Sequence, residues 1–202
     1  VMMRVPYDKQ YAYMQDSTGE YMNEQVVLFG PYQQETWQIA YNPQKMDSVD
    51  TVAMFQYHPI GVEIDTLPDF YLSSGLNGRL REQVRHYANV EEAFSAMRDG
   101  DVSAVMGMRA EIDYQLANAK NSEFKHAGNG FPGINKQVWD VGMAIKHTHR
   151  QLGYALEDIV GKFVQSGELN ELFSQFSLRY SVPQYYREFL NDEAIAQAEG
   201  RP

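Results

Sequence analysis

The chain has 202 residues, 44% hydrophobic and 22% charged, which is the composition of an ordinary soluble protein long enough to bury one large core or two small ones. A formal charge of −10 argues against nucleic acid, whose phosphates need clustered Lys and Arg, and disfavours an anionic membrane surface. The absence of cysteine excludes disulfides, thiolate catalysis and Cys-based zinc or iron–sulfur sites, and leaves the compartment open. No apolar run approaches the roughly 18 to 20 residues of a membrane helix. The opening VMMRVP has no signal-peptide pattern, as in a mature or cut product.

Val1 to Val5 reads as the end of a strand. The Tyr-, Gln- and Met-rich stretch up to residue 35 reads as mostly irregular with a short helix, punctuated by Asp16-Ser17-Thr18-Gly19 and Gly30-Pro31. Trp37 to Tyr41 (WQIAY) is a strand by its aromatic and β-branched content. Val52 to Phe55 and Ile60 to Ile64 are short apolar runs. After the second, Pro68 suits the first turn of a helix capped near Asp65 or Thr66. That helix is expected to reach about His86, although Ser73, Ser74, Gly75 and Gly78 weaken its first half.

Val90, Ala93, Phe94 and Met97 fall at i, i+3, i+4 and i+7, one stripe of a helix. Gly100 suits the position just past its end. Val102 to Met106 then has the length and apolarity of a buried strand, and a further helix is expected from Arg109 to about Ala119. Asn121 to Asn135 is a Gly-rich loop, and Val138 to Lys146 an extended run. Leu152, Ala155, Leu156, Ile159, Val160, Phe163 and Val164 predict a helix that buries a wide face and stops at Gly167. Leu169, Leu172, Phe173 and Phe176 repeat the pattern, and Tyr185 to Glu199 reads as one terminal helix. Strands alternating with helices make an α/β protein, whose strand-to-helix turns are where small ligands bind.

Motifs for dinucleotide, P-loop, α/β-hydrolase, zincin and EF-hand chemistry are all missing, so no common enzyme class is supported. His147-Thr148-His149 could place two imidazoles on one side of an extended segment, but no third ligand accompanies them and a solvated turn is the plainer reading. Asn129-Gly130-Phe131-Pro132-Gly133 reads as an ordinary connection rather than a phosphate cradle. Glu63 with Asp65, and Glu91 with Glu92, fit capping and solvation better than acid/base work. Tyr7, Tyr11, Tyr13, Tyr32, Trp37 and Tyr41 make the first 41 residues aromatic-heavy, and some of them suit a binding surface.

VEEAFSAMRDGDVSAVMGMRAEIDYQL resembles the helix, strand and helix in the second lobe of a type II periplasmic solute-binding protein, bacterial extracellular family 3. VGMAIKHTHRQLGYALEDIVGKFVQSGELNELFSQFSLRYSVP is similar to that family's return crossover and closing helices. GPYQQETWQIAYN resembles its outgoing crossover, and IGVEIDT its ligand loop. The resemblance implies a two-lobed α/β fold: residues 1–37 as a remnant of the first lobe, 38–141 as a complete second lobe, and 142–202 as the return crossover and C-terminal helices of the first. The N-terminal part of the first lobe is expected to be absent from this chain.

Among such proteins the quinoprotein-associated J-type group (MxaJ/XoxJ-like) is most similar, through VSAVMGMRAEIDYQLA, GPYQQETWQIAY and FSLRYSVP. That implies a periplasmic, non-catalytic accessory that binds or assembles the subunits of a methanol dehydrogenase dependent on pyrroloquinoline quinone, with no cofactor or metal of its own. The alternative is an ABC-transporter receptor for a small polar or cationic solute. A free α-amino acid is not expected: Met108 stands where amino-acid binders of this fold commonly keep an Asp for the ligand ammonium, and Asp65 adds a carboxylate to the ligand loop. The resemblance places ligand or partner contacts at Tyr32, Trp37, Asp65, Thr66, Gly107, Met108, Arg109, Trp139 and Asp140.

Overall fold

The computed structural model describes residues 1–8, 18, 26–128 and 138–201. Their strands are β1 (Met2–Pro6), β2 (Val26–Tyr41), β3 (Ile60–Glu63), β4 (Val84–Tyr87), β5 (Ala104–Met108), β6 (Lys125–His126) and β7 (Val138–Lys146). The helices are α1 (Leu67–Gly78), α2 (Val90–Asp99), α3 (Arg109–Ala117), α4 (Arg150–Ser166), α5 (Glu168–Ser174), α6 (Gln184–Arg187) and α7 (Asp192–Ala198). They divide between two compact units, one of Val1–Glu35 and Val138–Pro202, the other of Thr36–Gln137. Tyr11, Tyr13 and the 129–133 connection lie outside the described residues.

In the second unit the end of β2 pairs antiparallel with β5, and β3 lies parallel to both β5 and β4. Alternation along each strand sends side chains to opposite faces of this sheet. Ile39, Tyr41, Ile60, Val62, Ala104 and Met106 join one buried cluster with Leu72 of α1 and Phe55. Ala40 and Val105 join the other, with Val90, Ala93, Phe94 and Met97 of α2 and Ile112 of α3. Both faces of the sheet are thus covered by apolar side chains, as parallel pairing requires.

The α2 to β5 corner follows its sequence closely. Asn89 accepts a hydrogen bond from Glu92 N–H at 2.8 Å while the Glu92 carboxylate accepts from Ala88 N–H at 3.3 Å, a near-reciprocal start that accounts for one of the acidic pairs. At the other end Gly100 takes φ 87°, a conformation that costs a side-chain-bearing residue about 1 kcal/mol or more. β5 begins at Ala104, two residues later than the apolarity suggests, because the Ser103 backbone is used outside the ladder, by Pro59 O and Asn42 N–H.

Three expectations are corrected, and one apolar run without an assigned structure is resolved. The helix after Pro68 ends at Gly78, with non-helical angles already at Gly75, Leu76 and Asn77, and Val84–Tyr87 is a strand parallel to β3 rather than more helix. Val52–Gln56 is a 3-10 turn that buries Phe55. The strand at Trp37 begins at Val26 and continues through Gly30-Pro31, where Gly30 takes φ 49° inside the strand instead of ending it. The terminal helix is two, α6 and α7, because Asn191 accepts from Ala194 N–H at 2.8 Å and starts a new one.

In the first unit β1 pairs antiparallel with β7, and Gly142 of β7 lies against Phe29 and Pro31 of β2. The long helix α4 packs its Gly153 on the Phe29 ring: a Cβ at 153 would sit 2.3 Å from that ring, which is itself buried. Gly153→Ala must therefore push helix and ring apart, and thermal or urea unfolding should show a loss of about 1–3 kcal/mol. Val164, Leu169, Tyr180, Val182, Tyr186, Ile195 and Ala198 form this unit's own core.

Candidate functional site

In the second unit the carboxyl ends of β3 and β5 are neighbours, in parallel register with Val62 beside Met106. Beyond β3 the chain makes the short loop Ile64, Asp65, Thr66 and enters α1, while β5 passes from Met108 directly into α3 at Arg109. The ends of two adjacent parallel strands, each leading into a helix N-terminus, form the place in an α/β sheet where backbone N–H groups point outward and ligands settle.

The loop is held by a carboxylate that the sequence reading overlooked. Asp69, buried in the first turn of α1, accepts from Asp65 N–H at 3.0 Å, from the Ser73 hydroxyl at 2.8 Å, and lies 2.9 Å from His86 Nε2 on β4. Asp65 is thereby fixed at φ 59°, in the left-handed region that Asp tolerates better than most residues. Thr66 is the residue before α1, as its position suggested, but its hydroxyl donates to Glu63 O at 2.6 Å instead of capping the helix. The spacing Thr66-x-x-Asp69 is that of a capping box, and was the available signal for Asp69.

Burial alone would raise the Asp69 carboxyl; the bonds from Ser73, Asp65 N–H and His86, with the attraction of the His86 ring, outweigh it and hold the group below the usual carboxylate range. A lowered folded-state pKa means that the unfolded chain binds the proton first on acidification. The contribution is therefore complete above about pH 4 and lost as pH falls through the folded value. Urea midpoints measured from pH 6 down to pH 3 should fall more steeply for the wild type than for Asp69→Asn.

Aromatic groups flank the same strand ends. Trp37 lies opposite Met108 in the β2–β5 ladder, and its ring meets that of Tyr71 on α1 at 5.0 Å between centroids. Ile64, Leu67 and Phe70 add exposed apolar surface along the loop and the first turn of α1. Arg109 is half-buried at the first position of α3. A cation at that position opposes the helix dipole, so helix stability does not explain it.

The second unit thus gathers Trp37, Asp65, Thr66, Gly107, Met108 and Arg109 around its strand ends. Tyr32, Trp139 and Asp140 belong to the first unit, where their roles are visible in part. Tyr32 accepts a hydrogen bond from Arg4 N–H at 3.0 Å. Trp139 is buried in β7. Asp140 accepts from the N–H groups of Gln184 and Tyr185 at 2.8 and 2.9 Å, tying β7 to the start of α6. Beside it, burial and then the charges of Glu157, Tyr185 and Asp140 push the Tyr7 phenol up to about 12. His147–His149 forms an exposed 3-10 turn between β7 and α4, and among the described residues no three side chains are grouped to hold a metal ion.

The element order, the mixed pairing of β2, β5 and β3, and the helix that follows each parallel strand give an α/β fold like that of solved periplasmic solute-binding proteins. Among solved structures, the chain is similar to an amino-acid ABC transporter substrate-binding protein, AbpA, of Streptococcus pneumoniae bound to L-arginine, with TM-score 0.64 and 16% identity over 75% of this chain and 61% of that one. It is also similar to the solute receptor for L-cysteine of Neisseria gonorrhoeae, with TM-score 0.60 and 17% identity over 91% and 67%. An ancestral cationic amino acid solute-binding protein matches with TM-score 0.62 and 14% identity over 86% and 66%. The chain therefore spans less than two thirds of the first of these, and identities this low establish the fold alone. A scan against protein-family models finds no match, and a search of curated proteins finds none. No helix among the described residues is long and apolar enough to cross a membrane.

Proposed function

We propose that the protein is a non-catalytic, periplasmic solute-binding protein that serves an ABC transporter and takes a small polar or cationic solute at the strand ends of its second unit. The observation that carries this reading is the conjunction of Trp37 and Tyr71, the Asp69-braced loop at Asp65 and Thr66, and Arg109 at a helix N-terminus, on a fold shared with receptors for such solutes. Asp65 supplies a carboxylate for a cationic group, the aromatic pair a flat apolar wall, and Arg109 a counter-charge for an anionic or strongly polar end. Met108, at the end of β5, offers no carboxylate for an α-ammonium, which supports a cargo other than a free α-amino acid.

The test is thermal unfolding against L-arginine, L-lysine, L-glutamine, L-cysteine, putrescine and glycine betaine. A bound solute present at a hundred times its dissociation constant should stabilise the protein by about 2.7 kcal/mol. The reading expects putrescine or glycine betaine, not the α-amino acids, to do so, with the shift reduced in Asp65→Asn. A second reading is favoured by Tyr57 and Phe70, which are 81% and 60% exposed on the same unit and suit a protein contact. It makes the chain an accessory that docks on a methanol dehydrogenase dependent on pyrroloquinoline quinone. Inertness to every solute, with retention of a dehydrogenase subunit by the immobilised chain that is lost in Phe70→Ser, would favour it.

A further inference from the structure

α4 does not bury the wide apolar face expected of it, since Leu152, Ile159 and Phe163 stay exposed. Against β2 and α6 it turns instead the row Gly153, Glu157 and Gly161, spaced i, i+4 and i+8 and so stacked on one face. Gly153 lies on the Phe29 ring, a Cβ at Gly30 would come within 3.5 Å of the Glu157 Cα, and a Cβ at Gly161 would stand 3.7 Å from the Tyr186 ring. Two glycines thus bring the helix backbone close to its neighbours, and the side chain between them is a carboxylate. Half-buried, Glu157 accepts a hydrogen bond from the Gly30 N–H. Burial holds it above the usual carboxylate range, that bond offsets only part of the rise, and no Lys, Arg or His among the described residues lowers it further.

Aromatic rings stand around this carboxylate. Tyr185 meets Tyr7 at 5.7 Å, Tyr186 at 5.0 Å and Phe189 at 5.7 Å between centroids, each edge to face. Burial first and the Glu157 charge second raise the phenols of Tyr7, Tyr185 and Tyr186, and the carboxylates of Asp140 and Glu188 add to the same negative field. Tyr186 is only 7% exposed, and its buried hydroxyl has no hydrogen-bond partner among the described residues. That oxygen would lie 3.9 Å from a Cβ at Gly161, one helical turn from Glu157. A buried hydroxyl calls for a partner, and a half-buried carboxylate among rings calls for a cation. An ammonium group answers both, with three N–H donors for the two oxygens and a positive charge for the ring faces. We propose that Glu157, Tyr185 and Tyr186 form a binding site of the first unit for a primary alkylammonium group, whose N–H donors meet the Glu157 carboxylate and the Tyr186 hydroxyl while its methylenes lie along Tyr185 toward the exposed Phe189. A free alkylamine and a lysine side chain of another protein share this chemistry. The site is separate from the strand ends of the second unit and stands whether or not they bind a solute.

The test follows the Gly30 amide, which donates to Glu157, by proton–nitrogen NMR of the whole chain. The chain is titrated with n-butylammonium chloride and, separately, with the peptide acetyl-Gly-Lys-Gly-amide, against sodium chloride and n-butanol as controls at the same ionic strength. At least one ammonium probe should give a saturable shift of the Gly30 signal that neither control produces. The tighter of the two probes assigns the source, a free amine or a protein's lysine. The shift should persist in Asp65→Asn, which leaves the first unit untouched, and disappear in Glu157→Gln, which keeps the shape and an acceptor for Gly30. In Tyr186→Phe, which loses only the hydroxyl, binding should weaken by about tenfold. No saturable shift with either ammonium probe, an equal shift with n-butanol, or a shift that survives in Glu157→Gln would each overturn the proposal.

Discussion

Replacing Phe94 with alanine should lower the unfolding free energy by about 3–5 kcal/mol, the largest loss expected from any single substitution in the second unit. The ring is fully buried between α2 and the sheet, packed with Val90, Ala93, Met97, Val105 and Ile112, and meets the Phe124 ring at 6.2 Å. No neighbour can collapse into the space without distorting both helices, so the transfer and cavity costs add. Because α2 and α3 bracket β5, the loss should also free the Met108 and Arg109 corner. Urea unfolding gives the energy, and hydrogen exchange at β5 and the first turn of α3 should accelerate in the folded variant.

Asp69→Ala should cost about 2–3 kcal/mol for a different reason: no sizeable cavity opens, but the Asp65 N–H and the Ser73 hydroxyl lose their acceptor and His86 its partner. With that brace removed, nothing holds Asp65 at its positive φ, and the loop should relax toward ordinary extended angles. Asp69→Asn keeps the shape and one acceptor oxygen, so its cost should be smaller. Unfolding experiments on the two variants, compared with Ser73→Ala, separate the loss of one bond from the loss of the whole network.

Much of the fold was legible because several local signals agreed with one another. α2 has an apolar stripe and a terminal glycine, and both act as the pattern says. β7 was readable as an extended run, and α4 as a long stripe closed by Gly167. β4 was missed because a four-residue parallel strand at the end of the strand order needs no alternation of its own; Val84 is its one buried residue, and its pairing with β3 is a tertiary fact. The same limit explains α4, expected to bury a wide face: its periodicity marks the apolar stripe, but Leu152, Ile159 and Phe163 of that stripe are exposed.

The site was partly legible for a related reason. Arg109, Met108 and Asp65 were named from the family resemblance, whose motifs run through the ends of β3 and β5. Tyr71 and His86 reach the site through the placement of α1 beside β2 and of β4 beside β3, which no local pattern states. Asp140, expected as a ligand or partner contact, also accepts the N–H groups at the start of α6, a structural bond that no local pattern states.

The most direct measurement uses the fact that the chain has two tryptophans, Trp37 and Trp139. In Trp139→Phe the remaining fluorescence reports the wall of the proposed site, and titration with the polar and cationic solutes named above should give one saturable change in Trp37 emission, weakened at least tenfold by Arg109→Ala. Emission that stays flat with every solute, in a protein whose circular dichroism and unfolding remain those of the wild type, would contradict solute binding at these strand ends.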